Sequence, residues 1–365
     1  MRYIFAAILG VHGLIHLIGF INAFFTTSIE KQVLGISKPV GSLWLMAFFL
    51  FIISGLQFLN HKKWFYIAII AVILSQILII IAWKDSKYGT IANVIILCVS
   101  VSAYSTYRFN TMVASESREL LQQFTDNELS VISEKDIQHL PAIVQKWMTN
   151  SGVVGKEKVE TVSLKQIGNM RIKPNGTWMP FTATQYFNVR QPAFVWSTSV
   201  EAMPVISMVG RDKLIGGEGA MLIKLAGLVP IVNASKNDKI NQGAMIRYLA
   251  ELCWFPSGAV NDYIIWESID KHSVNATLIV DDKSVSGVFE FSNDGRIEAF
   301  KAYRYYGGEA TSQLEKWVVK NTSYKRFNGI LIPNKSNVIW KLRDGDFNWL
   351  NLEITNIVYY PEQLF

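Results

Sequence analysis

Cysteine is nearly missing from this chain. Cys98 and Cys253 are the two in 365 residues, one inside an apolar run and the other far along the chain, so neither a disulfide framework nor a Cys-rich zinc site can be built. Histidine is scarce too, at five residues. Beyond residue 110 only His139 and His272 remain, with no ligand spacing between them, so no metal site is expected. Gly216-Gly217-Glu218-Gly219 is not followed by Lys-Ser/Thr, which removes a phosphate cradle. It is expected to bend a strand or to let another backbone approach closely. No Gly-x-Ser-x-Gly elbow occurs, which leaves a Ser-His-Asp constellation without its most recognisable signature. No cofactor motif is present.

Charge is also sparse, at 18% of residues against the usual quarter, and it is unevenly placed. Residues 1–110 hold Arg2, Lys31, Lys38, Lys62, Lys63, Lys84, Lys87 and Arg108 against Glu30 and Asp85, which accounts for the whole net charge of +6. The rest carries 27 charges of each sign. A nucleic-acid footprint needs a basic face on the soluble part, so nucleic acid is excluded as a partner. The cations instead flank apolar runs, where they meet lipid headgroups.

Four such runs are present: Tyr3–Phe25, Gly41–Leu59, Trp64–Trp83 and Ile91–Tyr107. Each is long enough to cross a hydrocarbon core of about 30 Å at about 1.5 Å per residue. Trp44, Trp64, Tyr66, Trp83, Tyr88, Tyr104 and Tyr107 gather toward the ends, as an interfacial belt requires. The expectation is a four-helix transmembrane domain over 1–110. An even number of spans puts both chain ends on one side, and the four-against-four split of flanking cations leaves that side open. Each run carries polar residues at depth: His12 and His16, Gln57, Gln76 beside Ser75, and Asn93. In hydrocarbon these must partner one another. His12 and His16, one turn apart, share a face with Gly19 and Ala23. They are either interhelical hydrogen-bonding groups along a small-residue seam or half of a haem, metal or quinone site.

After a polar helical linker over 111–150, the period changes to two near residue 158. Asn293-Asp294-Gly295, Asn328-Gly329 and Asp344-Gly345 separate Val285–Phe291, Ile297–Tyr306, Glu315–Phe327, Ile330–Leu342 and Phe347–Tyr359. This is the pattern of antiparallel hairpins, so 151–365 is expected to be a β-rich soluble domain of α+β class. A helix is expected over Ile240–Cys253, stopped before Phe255-Pro256. On it Arg247 precedes Glu251 by one turn, the weaker order against the helix dipole, which points to partners beyond each other. Trp178, Trp196, Trp254, Trp266, Trp317, Trp340 and Trp349 either fill the core of a curved sheet or line an apolar cavity.

Between about 140 and 360 the chain resembles a bacterial domain family of unknown function. The resemblance rests on LPAIVQKW (140–147), GNMRI (168–172), GTWMPFTATQ (176–185), GRDKLIGGEGAML (210–222), WESID (266–270) and IPNKSNVIWKLRDGDFNW (332–349). RYLAELCWFP (247–256) is the most specific of its motifs. It implies a fold similar to the LolA-like half barrel, a curved antiparallel sheet with one or two packed helices. The helical half loosely resembles small DoxX-like proteins. Together these imply a bacterial inner-membrane protein.

Two functional readings follow. In one, the soluble domain binds a lipid, another apolar ligand or a partner next to the bilayer, with Arg247, Glu251, Trp254, Trp266 and Asp346 as candidate binding residues. In the other, the protein is a redox or enzymatic membrane protein with a cofactor at His12 and His16, or a polar site around Arg247 and Glu251.

Overall fold

The computed structural model describes residues 2–25, 36–122, 130–201 and 207–365. Glu30, Lys31 and residues 123–129 of the expected linker lie outside the described residues. The chain divides into two compact units, Met1–Phe109 with Ala226–Leu228, and Asn110–Leu225 with Val229–Phe365.

The first unit is helical: α1 (Arg2–Phe24), α2 (Lys38–Leu59), α3 (Phe65–Ile81) and the first part of α4 (Gly89–Gln122). Small residues set how closely α1 and α2 pack. A Cβ on Gly19 would lie 2.5 Å from the Trp44 ring, and one on Gly41 would lie 2.2 Å from the Ala23 Cβ. His12, His16, Gly19 and Ala23 all lie on the buried face of α1. Three helices, α1, α2 and α4, are long and apolar enough to cross a membrane. The third expected span is a 17-residue apolar helix, about 25 Å long at 1.5 Å per residue. The fourth run does not end near residue 107. No proline or glycine interrupts 90–122, and α4 continues unbroken to Gln122, with its last turns in the second unit.

The second unit holds α5 (Ala142–Ser151), α6 (Asp238–Glu251) and thirteen strands. These are β1 (Thr161–Met170), β2 (Met179–Asn188), β3 (Ala193–Glu201), β4 (Ser207–Ile215), β5 (Glu218–Leu225) and β6 (Val229–Ser235) before α6. After it come β7 (Ile264–Ser268), β8 (Ser273–Val280), β9 (Lys283–Phe291), β10 (Ile297–Tyr305), β11 (Leu314–Phe327), β12 (Ile330–Leu342) and β13 (Gly345–Tyr359). All belong to one antiparallel sheet in the order β6-β5-β4-β3-β2-β1-β13-β12-β11-β10-β9-β8-β7. Two meanders are joined where the first strand pairs with the last. Asn328-Gly329 forms a two-residue turn with positive φ at both positions, as the β11–β12 hairpin demands. Gly216-Gly217 does the same between β4 and β5, so it closes a hairpin and does not bend a strand. The close backbone approach falls two residues on, where a Cβ on Gly219 would lie 2.7 Å from the Ile240 carbonyl of α6.

The sheet is strongly curled. β5 and β9 are nine places apart in its order, about 43 Å if flat at about 4.8 Å per strand, yet α6 packs against both, and against β4 and β10 as well. The helix therefore lies between two wings that curve toward each other. Inner-face side chains follow a consistent alternation, and their burial changes along the strands. At one end Val162, Leu164, Phe187, Phe194, Leu214 and Ile357 are fully buried, beneath α5 and the turns Leu252–Trp254 and Pro256–Val260. At the other end Met170, Met179, Met208, Leu342 and Leu352 occupy the same face yet stay half-buried. Burial on the concave side is complete at one end and partial at the other, where these half-buried side chains stand among the buried Phe181, Val200 and Leu350.

Candidate functional site

A buried polar network lies between the fully buried end of the concave face and the partly buried end. Alternation on β2, β3 and β4 puts Gln185, Trp196 and Asp212 side by side on the inner face, each opposite the next across the ladder. Arg247 reaches them from α6. Its Nε donates to Glu251 Oε1 (2.8 Å), its Nη1 to Asp212 Oδ2 (2.8 Å) and its Nη2 to Gln185 Oε1 (3.4 Å). Gln185 Nε2 donates to Glu251 Oε2 at 2.7 Å, and Trp196 Nε1 to Gln166 Oε1 at 2.8 Å. The guanidinium lies 5.0 Å and 4.7 Å from the ring centres of Phe194 and Trp196, within cation–π range. Gln185 is 0% exposed and Asp212 5%, so every charge here has left water and must be compensated by its partners. Burial raises the Glu251 carboxyl above its ordinary pKa even though Arg247 opposes the shift.

A second arginine faces the same interior. On β10 the inward positions run Phe300, Ala302, Arg304, and Ala302 pairs with Trp317, which pairs with Trp340 on β12. The Arg304 guanidinium lies 5.1 Å from the Trp317 ring centre and 5.9 Å from that of Trp340. It rests over Gly243 of α6, where a Cβ would come within 2.9 Å of its Nε. Burial pushes its pKa down to about 10, with Asp212 opposing and Arg247 adding to the shift.

The structure brings together Arg247 and Glu251 of the residues singled out from sequence. Trp254 and Trp266 lie toward the fully buried end. Trp254 is buried against Phe187, while Trp266 donates its Nε1 to the Ala259 carbonyl at 3.0 Å and packs on Phe289. Asp346 forms an exposed ion pair with Lys341, its cross-strand neighbour. Asp212, Gln185 and Arg304 were not expected in a site, and Trp196 only as core or cavity wall. A signal for Arg304 was present, because a charge following Phe300 and Ala302 at every second residue of a strand must share their inward face.

In the helical unit His12 and His16 meet Ser75 of α3 and Asn93 of α4. Asn93 Nδ2 donates to Ser75 Oγ (2.9 Å) and Gln76 Oε1 (3.1 Å), so its Oδ1 accepts from His12 Nε2 at 2.9 Å. His16 Nδ1 donates to the His12 carbonyl at 2.7 Å, and its Nε2 accepts from Ser75 Oγ at 2.8 Å. The partners fix both tautomers. They leave no free nitrogen on His16 and only Nδ1 on His12, so the pair does not offer two lone pairs to one metal ion. Among the described residues no group of three or more His, Cys, Asp or Glu side chains could hold one. A cavity of about 580 Å³ opens beside this network, lined by His12, His16, Asn22, Trp44, Lys84 and Tyr88 among others. The buried Trp44 Nε1 has no acceptor.

Among curated proteins none matches the chain. Solved structures give distant similarities. One is a LolA superfamily protein from Nitrosomonas europaea, at 9% identity over 60% of this chain and 92% of that one, with a TM-score of 0.33. Another is a DUF1329 family protein from Desulfovibrio piger, at 10% identity with the same coverage and a TM-score of 0.34. The model of a family of unknown function, DUF6920, matches residues 138–359, which take in α5, α6 and the whole sheet. On that match the chain belongs to the DUF6920 family.

Proposed function

We propose that this is an integral membrane protein whose sheet domain binds an apolar or amphiphilic ligand next to the bilayer, at the partly buried end of the concave face. The observation that carries this reading is the partial burial at that end. Met170, Met179, Met208, Leu342 and Leu352 occupy core positions of their strands but remain partly exposed. Leaving apolar surface open costs about 25 cal/mol per Å², and methionine is the side chain that best adapts to irregular apolar guests. The membrane helices supply the tether. All four apolar helices span in this reading, with α3 completed by Trp64 and by the turn at Trp83–Ser86.

Full-length protein in detergent, examined by native mass spectrometry, is expected to carry bound lipid. Met208→Arg, which places a charge in the groove, is expected to remove it. Lipid carried equally by wild type and Met208→Arg would sink the assignment to this face. The span count is tested by labelling single cysteines at Lys62 and Lys87 from each side of sealed vesicles. Labelling of both from one side would mean that α3 does not cross.

The cavity beside His12 and His16 favours a second reading, in which a small molecule enters the helical unit and meets the free Nδ1 of His12 and the unpartnered Nε1 of Trp44. An absorbance spectrum and organic extraction of the purified protein test it. A molecule retained by wild type and lost in His12→Phe supports the reading, and extracts with no such molecule remove it.

A further inference from the structure

We propose that Arg304 anchors the anionic headgroup of an amphiphile seated at the partly buried end of the sheet, a reading that rests on the binding function above and names its ligand class. The chemistry required is a carboxylate or a phosphate attached to an apolar tail.

The first ground is an excess of donors. A guanidinium carries five N–H donors and no acceptor. Arg304 makes no hydrogen bond and no ion pair with the described residues, and its guanidinium lies against Trp317, Trp340 and Gly243. Asp212 and Glu251 attract Arg304 through space, but each accepts a hydrogen bond from Arg247 at 2.8 Å and none from Arg304. Glu315 stands directly opposite Arg304 across the β10–β11 ladder yet forms no ion pair with it. A guanidinium without a protein partner is met by water or by a ligand, and a planar or tetrahedral oxyanion is the ligand that a fork of parallel N–H groups fits best.

The second ground is position. Arg304 lies at the partly buried end of its strand and is only half-buried, so it is reachable from the groove. Trp340 carries the same inner face on to β12, where Leu342 is half-buried two residues along. A ligand whose headgroup meets Arg304 can therefore lay its tail along the apolar floor. Arg247 is less suited to this role, because Glu251, Asp212 and Gln185 already take three of its five donors.

The test uses full-length protein in detergent, with tryptophan quenching by three brominated probes: dibromostearic acid, its methyl ester, and a dibrominated phosphatidic acid. Wild type is expected to bind at least one anionic probe more tightly than the uncharged ester. Arg304→Gln is expected to lose about tenfold to a hundredfold in affinity for that probe, the range of a charge-assisted hydrogen bond, while its affinity for the ester holds. Arg304-dependent preference for the fatty acid identifies a carboxylate, and for phosphatidic acid a phosphate; either supports the proposal. Gly243→Ala provides a second variant that keeps the arginine. Its new Cβ must push the guanidinium aside, so the anionic preference is expected to fall without loss of fold. Equal wild-type affinity for acid, phosphatidic acid and ester would overturn the proposal, as would a preference that survives both variants. In those cases binding of the ester still upholds the groove. Quenching by none of the three probes would take down the groove reading and this one with it.

Discussion

Replacing Asp212 with asparagine keeps the shape of the side chain and removes one of the two negative charges that hold Arg247 inside the sheet domain. The cost follows from the geometry. Asp212 accepts from Arg247 Nη1 at 2.8 Å, with the two side chains 8% and 15% exposed, so neither charge can recover its hydration. Breaking a fully buried pair costs about 3–5 kcal/mol. Here Glu251 still holds Nε at 2.8 Å, and the asparagine oxygen can still accept, so the expected loss is about 2–3 kcal/mol. Removing both acids, in Asp212→Asn with Glu251→Gln, leaves the guanidinium with no anion among these partners. The double variant should then lose more than the sum of the single ones by over about 1 kcal/mol. Hydrogen-exchange mass spectrometry on full-length protein reads this locally, in peptides from α6, β2 and β4. A loss of 2–3 kcal/mol corresponds to exchange about 30- to 150-fold faster at the most protected amides. Exchange that changes less than about twofold in Asp212→Asn would refute the argument, because it would mean that the pair is effectively solvated.

Three further outcomes can be checked on the same protein. Glu251 has a folded pKa raised above its ordinary 4.5 by burial, so its contribution is fully present below the unfolded value and is lost as pH rises through the folded one. Relative to Glu251→Gln, the wild type should therefore lose stability as pH climbs from 4.5 through that raised value, and parallel pH profiles for the two proteins would contradict this. Gly219→Val should destabilise by about 1–3 kcal/mol through overpacking, since the added carbon would meet the Ile240 carbonyl at 2.7 Å and the Ala244 Cβ at 2.9 Å; a melting temperature equal to wild type would count against the close packing of α6 on β5. Cys253 is 4% exposed and burial pushes its thiol pKa up, so in a Cys98→Ser background it should resist maleimide until the Leu252–Trp254 turn opens, and rapid labelling of the native protein would show that this turn is loosely held.

Much of the sheet was legible because its information is local. Runs bounded by Asn-Gly, Asp-Gly and Asn-Asp-Gly became β9 to β13 with ends within two residues of those expected, since each turn fixes the register of its two strands. The helix expected over Ile240–Cys253 starts two residues earlier and ends two earlier. Asn237 caps it by accepting from the Lys239 and Ile240 amides, and Leu252–Trp254 tightens into a 3₁₀ turn. The helical half was less legible at its ends. Hydropathy reports where the apolar run stops near Tyr107, whereas the backbone stops where a breaker or a cap stops it, and α4 meets neither before Gln122.

The candidate site was only half legible, and the reason is that its partners are joined by curvature. Arg247 and Glu251 share one helix, so their spacing alone placed them on one face. Asp212 and Gln185 lie on β4 and β2, and Arg304 comes from β10, at the far side of the sheet order. Sequence periodicity could point each of these inward, but only the curl of the sheet around α6 brings both wings to one helix. The same curl explains why the two arginines differ. Arg247 meets the wing that carries Asp212 and Gln185 and is fully engaged there, while Arg304 arrives on the opposite wing, whose inner face at that level offers tryptophan rings. On that wing the cation meets tryptophan rings and, even with Glu315 opposite it on β11, forms no ion pair among the described residues, which leaves its donors to an anion from outside.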